Sequence, residues 1–309
     1  MQIVTVGEGM IELSRAADGS GWRVGYGGDT LNTALHLARL GRHVAFLSAI
    51  GDDPFSRDLR ADWAREGLDT RWVLTDPSRR AGLYAITNDQ QGERHFTYWR
   101  GESAARRMFD LPDSEAAAMQ ASGAALLLFS MISLAILPPP ARERLIALAH
   151  EVRARGGRVA FDTNYRPALW PDLAAARAAH RAAMAVADIG LPTIEDEAAL
   201  TGLDDPAAIE RHWHEAGVTE VALKMGGEGC RVGGVSIAPP QRLTPRDTSG
   251  AGDAFNAGYL HARLAGLAPA EAAAAGHAMA GWVVMNMGAV PPLDATAPYR
   301  RLGELAAAG

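Results

Sequence analysis

Short apolar runs alternate with amphipathic stretches along most of the chain. Apolar runs predict buried strands at residues 3–6, 44–50, 124–129, 159–162, 187–191 and 220–224, and helical patterns fall at 30–40, 55–66, 138–155, 254–264 and 268–285. Alternating strands and helices are typical of βαβ units, in which the strands run parallel. The pattern therefore predicts an α/β fold with a mostly parallel sheet flanked by helices.

A second pattern, richer in strands, interrupts this alternation. Residues 10–26 lack a helical period and are predicted to form strands outside the main sheet, and further strands are predicted at 72–74, 82–87 and 94–100. A symmetric hairpin about a turn at 88–92 would place Tyr84 opposite Phe96 and diagonal to Tyr98, and strand alternation adds Arg100 to that face. The face could be ordinary edge decoration, but we favour a lid over a polar, negatively charged substrate.

Composition narrows the class of protein. The 309 residues are 48% hydrophobic and carry a net charge of −6, which fits a globular chain and argues against a nucleic-acid partner. The first residues have the pattern of a strand rather than of a signal peptide, and no stretch approaches a membrane span. The lone cysteine, Cys230, favours a cytoplasmic protein. Lys224 is the only lysine.

The most informative stretch is Gly250-Ala251-Gly252-Asp253, directly before a helical pattern. Small residues let the backbone turn tightly, and the free N–H groups of a helix N-terminus can hold an anion. Asp253 is then either the N-cap of the helix or a carboxylate that faces the bound anion. Local physics alone favours the cap.

The longer string from Asp247 to Phe255 resembles the signature of the ribokinase-like (PfkB) carbohydrate kinases. The resemblance implies a single three-layer domain over residues 1–309, with lid strands roughly within 10–26 and 72–100, that uses ATP and Mg²⁺. It also implies that the amides of Gly250, Ala251 and Gly252 form an anion hole and that Asp253 takes the proton of a sugar hydroxyl. Such chemistry needs positioning and charge stabilisation more than covalent help.

Weaker motifs extend the resemblance to other site residues. Its family positions imply that sugar hydroxyls are held by Gly28, Asp29 and Asn32, and that the nucleotide site includes Gly226, Gly229, Ser249, Gly250, Gly252 and His277. Each also has a structural alternative, as a helix cap, a bare turn or a packed histidine. Lys224, at a strand end just before the Gly226–Gly229 turn, is placed near the nucleotide phosphates as a compact cation, with a solvated amine as the alternative. The family's Asn-x-x-Glu near magnesium is replaced by Thr193 and Asp196, so Asp196 is the candidate metal ligand.

Within the family the chain most resembles the 2-keto-3-deoxygluconate kinases. The similarity lies in residues 7–14, 25–33, 98–100, 132–137 and 164–167, with Met131 where relatives commonly have glycine. It implies that the sugar acid is held by Tyr84, Tyr98, Arg100 and Arg166, and that lids pair into oligomers. Arginine is also the side chain shaped for a carboxylate.

Three other functions stay open. A fructokinase or another sugar kinase would share the fold. A nicotinamide-dependent dehydrogenase would explain Gly7-x-Gly9, but the third glycine and an immediately following helix are missing. A non-catalytic sugar-acid sensor is disfavoured by the intact Asp253 and its glycines.

Overall fold

The computed structural model describes residues 2–15, 19, 21–88 and 94–304. The strands within these residues are β1 Gln2–Val6, β2 Met10–Arg15, β3 Trp22–Gly27, β4 His43–Gly51, β5 Val73–Asp76, β6 Gly82–Asn88, β7 Arg94–Trp99, β8 Leu126–Ser130, β9 Arg158–Asp162, β10 Ile189–Gly190, β11 Glu220–Lys224, β12 Cys230–Val232 and β13 Val235–Ile237. The α-helices are α1 Asp29–Arg39, α2 Pro54–Arg65, α3 Ser114–Ala121, α4 Met131–Ile136, α5 Pro139–Ala154, α6 Leu173–Met184, α7 Ile194–Thr201, α8 Pro206–Glu215, α9 Ala251–Leu264, α10 Pro269–Val284 and α11 Tyr299–Gly303.

Nine of these described strands form the main sheet, in the order β13-β12-β11-β10-β9-β8-β1-β4-β5. Every pairing from β11 to β5 is parallel, whereas β12 pairs antiparallel with both β11 and β13. The predicted mostly parallel sheet is therefore confirmed. The strand expected at 72–74 was wrongly grouped with the lid, because β5 pairs with β4 at the edge of the main sheet.

Successive strand residues point to opposite faces of the sheet, and each face has its own apolar core. Val4 and Val6 pack on one side with α3 to α6 and α8. Ile3 packs on the other side with α1, α2, α9 and α10. Helices thus cover both faces, which confirms the three-layer arrangement.

The lid is a separate four-stranded sheet in the order β3-β2-β6-β7. Residues 10–26 do supply its first two strands. The hairpin register differs from the prediction by two residues, since Tyr84 pairs with Tyr98 and Ile86 pairs with Phe96. The shared face survives this correction, with Tyr84 and Tyr98 ring centroids 5.9 Å apart. Most of the predicted turn, residues 89–92, lies outside the described residues.

Two further expectations change near the chain ends. Gly7 and Gly9 serve close packing, because a Cβ at Gly7 would strike the Thr30 side chain and one at Gly9 would strike Trp63. The strand that follows them joins the lid, so no dinucleotide-binding turn forms there. The Ala-rich sequence from Leu302 to Gly309 predicts a frayed tail, but Leu302 is buried in α11, and residues 305–309 lie outside the described residues. No helix in the described part of the chain is long and apolar enough to cross a membrane.

Candidate active site

Polar side chains collect at the carboxyl ends of the parallel strands, beside the first turns of α1 and α9. The two helices contact each other where they begin: Asn32 Nδ2 donates to Asp253 Oδ2 at 2.8 Å, and Thr33 Oγ1 donates to the Asp253 carbonyl at 3.2 Å. Ligands of open α/β sheets bind at this edge. The first turns of α1 and α9 therefore bring the predicted sugar and phosphate residues together.

Asp253 is not the cap that its local sequence favours. The N-cap is Gly250, which adopts the left-handed φ of +68° and packs so tightly on Ala289 that a Cβ would lie 2.5 Å from the Cβ of that residue. The helix consequently begins at Ala251, three residues earlier than predicted. Asp253 lies within its first turn, with its carboxylate turned toward α1.

The surroundings of Asp253 make its carboxyl an unusually weak acid. Burial and the negative charge of Asp29 raise its pKa to about 8, and Asp162 adds to this effect. The hydrogen bond from Asn32 and the charge of Lys224 act in the opposite direction. A carboxylate with such a pKa can accept a proton near neutral pH.

Asp29 is likewise not a helix cap, since Gly28 precedes it in that position. Its Oδ2 accepts hydrogen bonds from the Ser130 hydroxyl and from Asn164 Nδ2, the latter at 3.3 Å. Burial raises the pKa of Asp29. Asn32 keeps a buried Oδ1 with no partner among the described residues, so the α1 turn presents an unused acceptor beside Asp253.

The lid contributes one buried and one exposed tyrosine. Tyr84 is buried and its hydroxyl donates to Glu12, whereas Tyr98 is 48% exposed. Burial and Glu12 raise the pKa of Tyr84, with smaller effects of Tyr98 and Asp253. The Tyr84 hydroxyl lies so close to Gly27, two residues before α1, that a Cβ on Gly27 would strike it.

Arg100 and Arg166 differ in exposure and in the partners that they already have. Arg100 was predicted on an exposed face, but it is buried, and its Nε donates to Glu8 Oε2 at 2.7 Å. Arg166 has the extended backbone that the following Pro167 favours, its side chain is half-exposed, and its Nη1 lies 3.8 Å from Asp196 Oδ1. Arg166 can reach a ligand without losing a buried partner, whereas Arg100 already has one.

The predicted nucleotide residues lie in the loop that follows β11, in the turn before α9 and on α10. Gly226 and Gly229 have φ of +56° and +103° around a single 3₁₀ turn, and open space lies where a Cβ of Gly226 would project. Asp247 accepts from the amides of Ser249 (2.9 Å) and Gly288 (2.6 Å), which braces the turn before α9. His277 lies against Phe255, and its buried Nε2 has no partner among the described residues. An unpaired ring nitrogen and an open glycine loop fit a nucleotide.

The acids near Asp196 separate into two roles. Asp196 lies beside Arg166 and Asp162, and burial raises its pKa. Glu197 instead points into the core, where Oε1 is 3.1 Å from both Thr163 Oγ1 and His180 Nε2. No cluster of three potential metal-binding side chains occurs in the described ranges. A single carboxylate such as Asp196 fits magnesium that is held chiefly by nucleotide phosphates and water.

Sequence reasoning missed four residues of the site: Glu8, Glu12, Asp162 and Asn256. Glu8 and Glu12 lie in the stretch 7–14, which was noted for its family resemblance, and Asp162 lies in the predicted strand 159–162. Glu8 and Asp162 do follow or end buried strands, like Lys224. Because the carboxyl ends of parallel strands share one edge of a sheet, charged residues at strand ends were the usable signal.

Comparison with known proteins gives the arrangement its context. The model of the pfkB family carbohydrate kinases matches residues 1–296. The chain belongs to the PfkB family of carbohydrate kinases. It is 39% identical to 2-dehydro-3-deoxygluconokinases of Dickeya dadantii and Escherichia coli K12, each over 95% of this chain and 97% and 98% of those proteins. A fructokinase of Klebsiella pneumoniae is 32% identical over 76% of this chain and 75% of its own.

Solved structures agree on the fold of this PfkB kinase. A PfkB protein from Polaromonas sp. JS666 has a TM-score of 0.81 and 27% identity, covering 98% of this chain and 99% of its own. Aminoimidazole riboside kinase from Salmonella enterica, solved with aminoimidazole riboside and an ATP analogue, has a TM-score of 0.80 at 23% identity and covers 99% of both chains. The ribokinase-like fold predicted from the sequence is confirmed.

Proposed function

We propose that this kinase phosphorylates 2-keto-3-deoxygluconate (2-dehydro-3-deoxygluconate) at its 6-hydroxyl with ATP. The observation that carries the proposal is the 39% identity along 95% of the chain to enzymes named for that substrate. The site supports it, because the half-exposed Arg166 lies two residues after Asn164, which donates to Asp29 Oδ2, and the charge of Arg100 opposes the rise that burial causes in the pKa of Asp29. Guanidinium groups recognise a carboxylate, which a neutral hexose lacks.

The proposed step is an in-line phosphoryl transfer. The sugar hydroxyl oxygen forms a bond to the γ-phosphorus, the bond from that phosphorus to the bridging oxygen of ADP breaks, and the hydroxyl proton passes to Asp253 Oδ. Asn32 orients that carboxylate by donating to Oδ2. The amides of Gly250, Ala251 and Gly252, at the start of α9, hold the transferring group, and the lid tyrosines exclude water.

The residues that would hold the nucleotide are Gly226, Gly229, Ser249 and His277, with Lys224 at the phosphate end of the site beside Gly252. Asp196 is the proposed protein contact of magnesium. When bound with ATP, magnesium neutralises phosphate charge. These assignments account for the open loop at Gly226 and the unpaired Nε2 of His277.

A coupled assay of ADP release tests the substrate. We expect kcat/KM for 2-keto-3-deoxygluconate to exceed that for gluconate and fructose. These two alternative substrates, an aldonate and a hexose, also have six carbons and so serve as matched controls. A preference for fructose would establish the fructokinase alternative instead. The same panel includes the C4 epimer, whose acceptance the arginines do not distinguish because the carboxylate is unchanged.

We further propose that the chain acts as a single kinase domain of residues 1–309 in the cytoplasm and forms a lid-mediated homo-oligomer. Two cores share one sheet, and Cys230 is buried and free, as suits a reducing compartment.

On the outer face of the lid, Trp22, Val24 and Trp99 are 44%, 60% and 59% exposed. Exposed apolar patches of this kind mark interaction sites. Light scattering should give a multimer for the wild type and a smaller species for Trp99→Glu; a monomeric wild type would contradict the oligomer.

A further inference from the structure

The sole lysine is part of a closed ring of three buried side chains. Lys224 Nζ donates to Asp162 Oδ1 at 2.9 Å and to Asn256 Oδ1 at 3.0 Å, and Asn256 Nδ2 donates to Asp162 Oδ2 at 2.9 Å. The three residues come from the ends of β9 and β11 and from α9. An ammonium carries three N–H bonds, so this ring occupies two of them and leaves one.

The position of the ring relates it to phosphoryl transfer. A Cβ added to Gly252 would lie 3.7 Å from Lys224 Nζ, so the ammonium lies directly beside the proposed anion hole. Its charge also lowers the pKa of Asp253. In a buried site a fixed cation of this kind stabilises charge more strongly than it would in water.

We propose that Lys224 directs its remaining N–H at the phosphoryl group in transit, and that Asp162 and Asn256 are positioning residues that fix the direction of the ammonium. This inference rests on the proposed kinase function. It assigns Lys224 to the transition state rather than to uniform binding of ATP, so its loss should lower kcat more than it raises the KM for ATP.

The same three elements carry a second polar cluster at their opposite ends. Glu220 begins β11 and accepts from Arg158, which begins β9, and from Tyr259 and Arg263 in α9, at 2.8 to 3.0 Å. Like the lysine ring, this cluster joins β9, β11 and α9 through hydrogen bonds between charged and polar side chains. It lies at the opposite ends of the strands from the Gly250 turn. Glu220→Gln is therefore a matched control for damage to the packing of β9, β11 and α9.

A spectroscopic experiment tests the contact directly. Protein grown with lysine labelled at ¹³Cε has one lysine signal, because Lys224 is the only lysine. We expect that signal to shift when aluminium fluoride is added to the complex with Mg-ADP and sugar acid, and to shift equally in Glu220→Gln. A signal that responds to Mg-ADP but not to the fluoride would overturn the proposal.

Kinetics of variants supply the second test. Lys224→Met should lower kcat about 100- to 1,000-fold, as loss of an anion-hole donor does, with the KM for ATP changed by less than about threefold. Asp162→Asn and Asn256→Asp should each lower kcat, whereas the double exchange rebuilds a ring with one acid and one amide and should recover most of it. No recovery in a folded double variant, or an unimpaired Lys224→Met, refutes the inference. A wild type that phosphorylates no sugar of the panel refutes the proposed function instead.

Discussion

At the scale of single residues, Asp253 has the clearest expected role. Asp253→Asn keeps the size of the side chain but cannot accept the hydroxyl proton. We expect turnover to fall on the order of 100- to 10,000-fold while sugar acid still binds, as measured by steady-state kinetics and calorimetry. Turnover near that of the wild type would return Asp253 to a structural part in the first turn of α9.

The raised pKa of Asp253 gives the rate a defined pH dependence. Only the ionised form is a base, so kcat/KM should rise with pH through about 8 and level off above it. Lys224→Met removes a charge that lowers this pKa and should move the midpoint to higher pH, while Asp29→Asn removes one that raises it and should move the midpoint lower. Equal midpoints in all three proteins would contradict the electrostatic account.

The two arginines should respond differently to truncation. Arg166→Ala should cost roughly 1.5–3 kcal/mol, about ten- to over a hundredfold in kcat/KM for the sugar acid, with little change for ATP. Arg100→Ala should cost activity too, but also stability, because it leaves Glu8 buried without its ion partner. Thermal melts of both variants separate the effects. Equal losses toward ATP and sugar acid would argue against carboxylate recognition by Arg166.

At the scale of elements, α9 and α10 are brought together by glycines. A Cβ at Gly258 would lie 2.5 Å from the Ala275 carbonyl oxygen, whereas at Gly281 the nearest atom is the end of the Leu243 side chain, at 3.4 Å. Gly258→Ala should therefore destabilise the fold by about 1–3 kcal/mol. Gly281→Ala, in the same helix pair, should be neutral or slightly stabilising. Urea unfolding measures the stability of both variants. Equal midpoints for the two variants would show that α10 moves away from the added Cβ at Gly258 without loss of stability.

Elements are also where sequence-based prediction reaches its limit. Alternation predicts which face Tyr84 and Tyr98 share, but a shift by two residues preserves every face, so it could not determine their register. The cap interpretation of Asp253 was wrong, because the N-cap is Gly250. The actual partner of the Asp253 carboxylate, Asn32, lies 221 residues away along the chain, where local sequence cannot reveal it. Glu8 and Arg100, which also pair, lie 92 residues apart. Local patterns thus predicted most of the strands, five of the helices and the glycine turn, and long-range polar pairs became visible only in three dimensions.

At the scale of the whole molecule, the Glu220 cluster links β9, β11 and α9 away from the chemistry. Burial alone would raise the pKa of Glu220, but hydrogen bonds from Arg263, Tyr259 and Arg158 lower it overall. The folded pKa lies below the unfolded value near 4.5, so the contribution to stability is full above that value and is lost as the pH falls through the lowered pKa.

Glu220→Gln should accordingly destabilise the neutral protein by roughly 1.5–3 kcal/mol, the range for hydrogen bonds to a charged group, since Arg263 and Arg158 lose their charged partner. The difference from the wild type should shrink as the pH drops below 4.5, and kcat should stay unchanged. Denaturant unfolding at several pH values, with an assay of the folded protein, checks both statements. A constant difference at all pH values would mean that ionisation of Glu220 plays no part.

The two clusters at opposite ends of β9 and β11 have an evolutionary consequence. Mutations that adapt the protein to heat or cold can accumulate around Glu220, one strand length from Lys224, without passing through inactive intermediates. Mutations that change the reaction must alter the Lys224 end of the strands. Stabilising mutations around Glu220 can offset the stability that such changes cost. Lineages of this kinase should therefore vary in thermal tolerance more readily than in turnover.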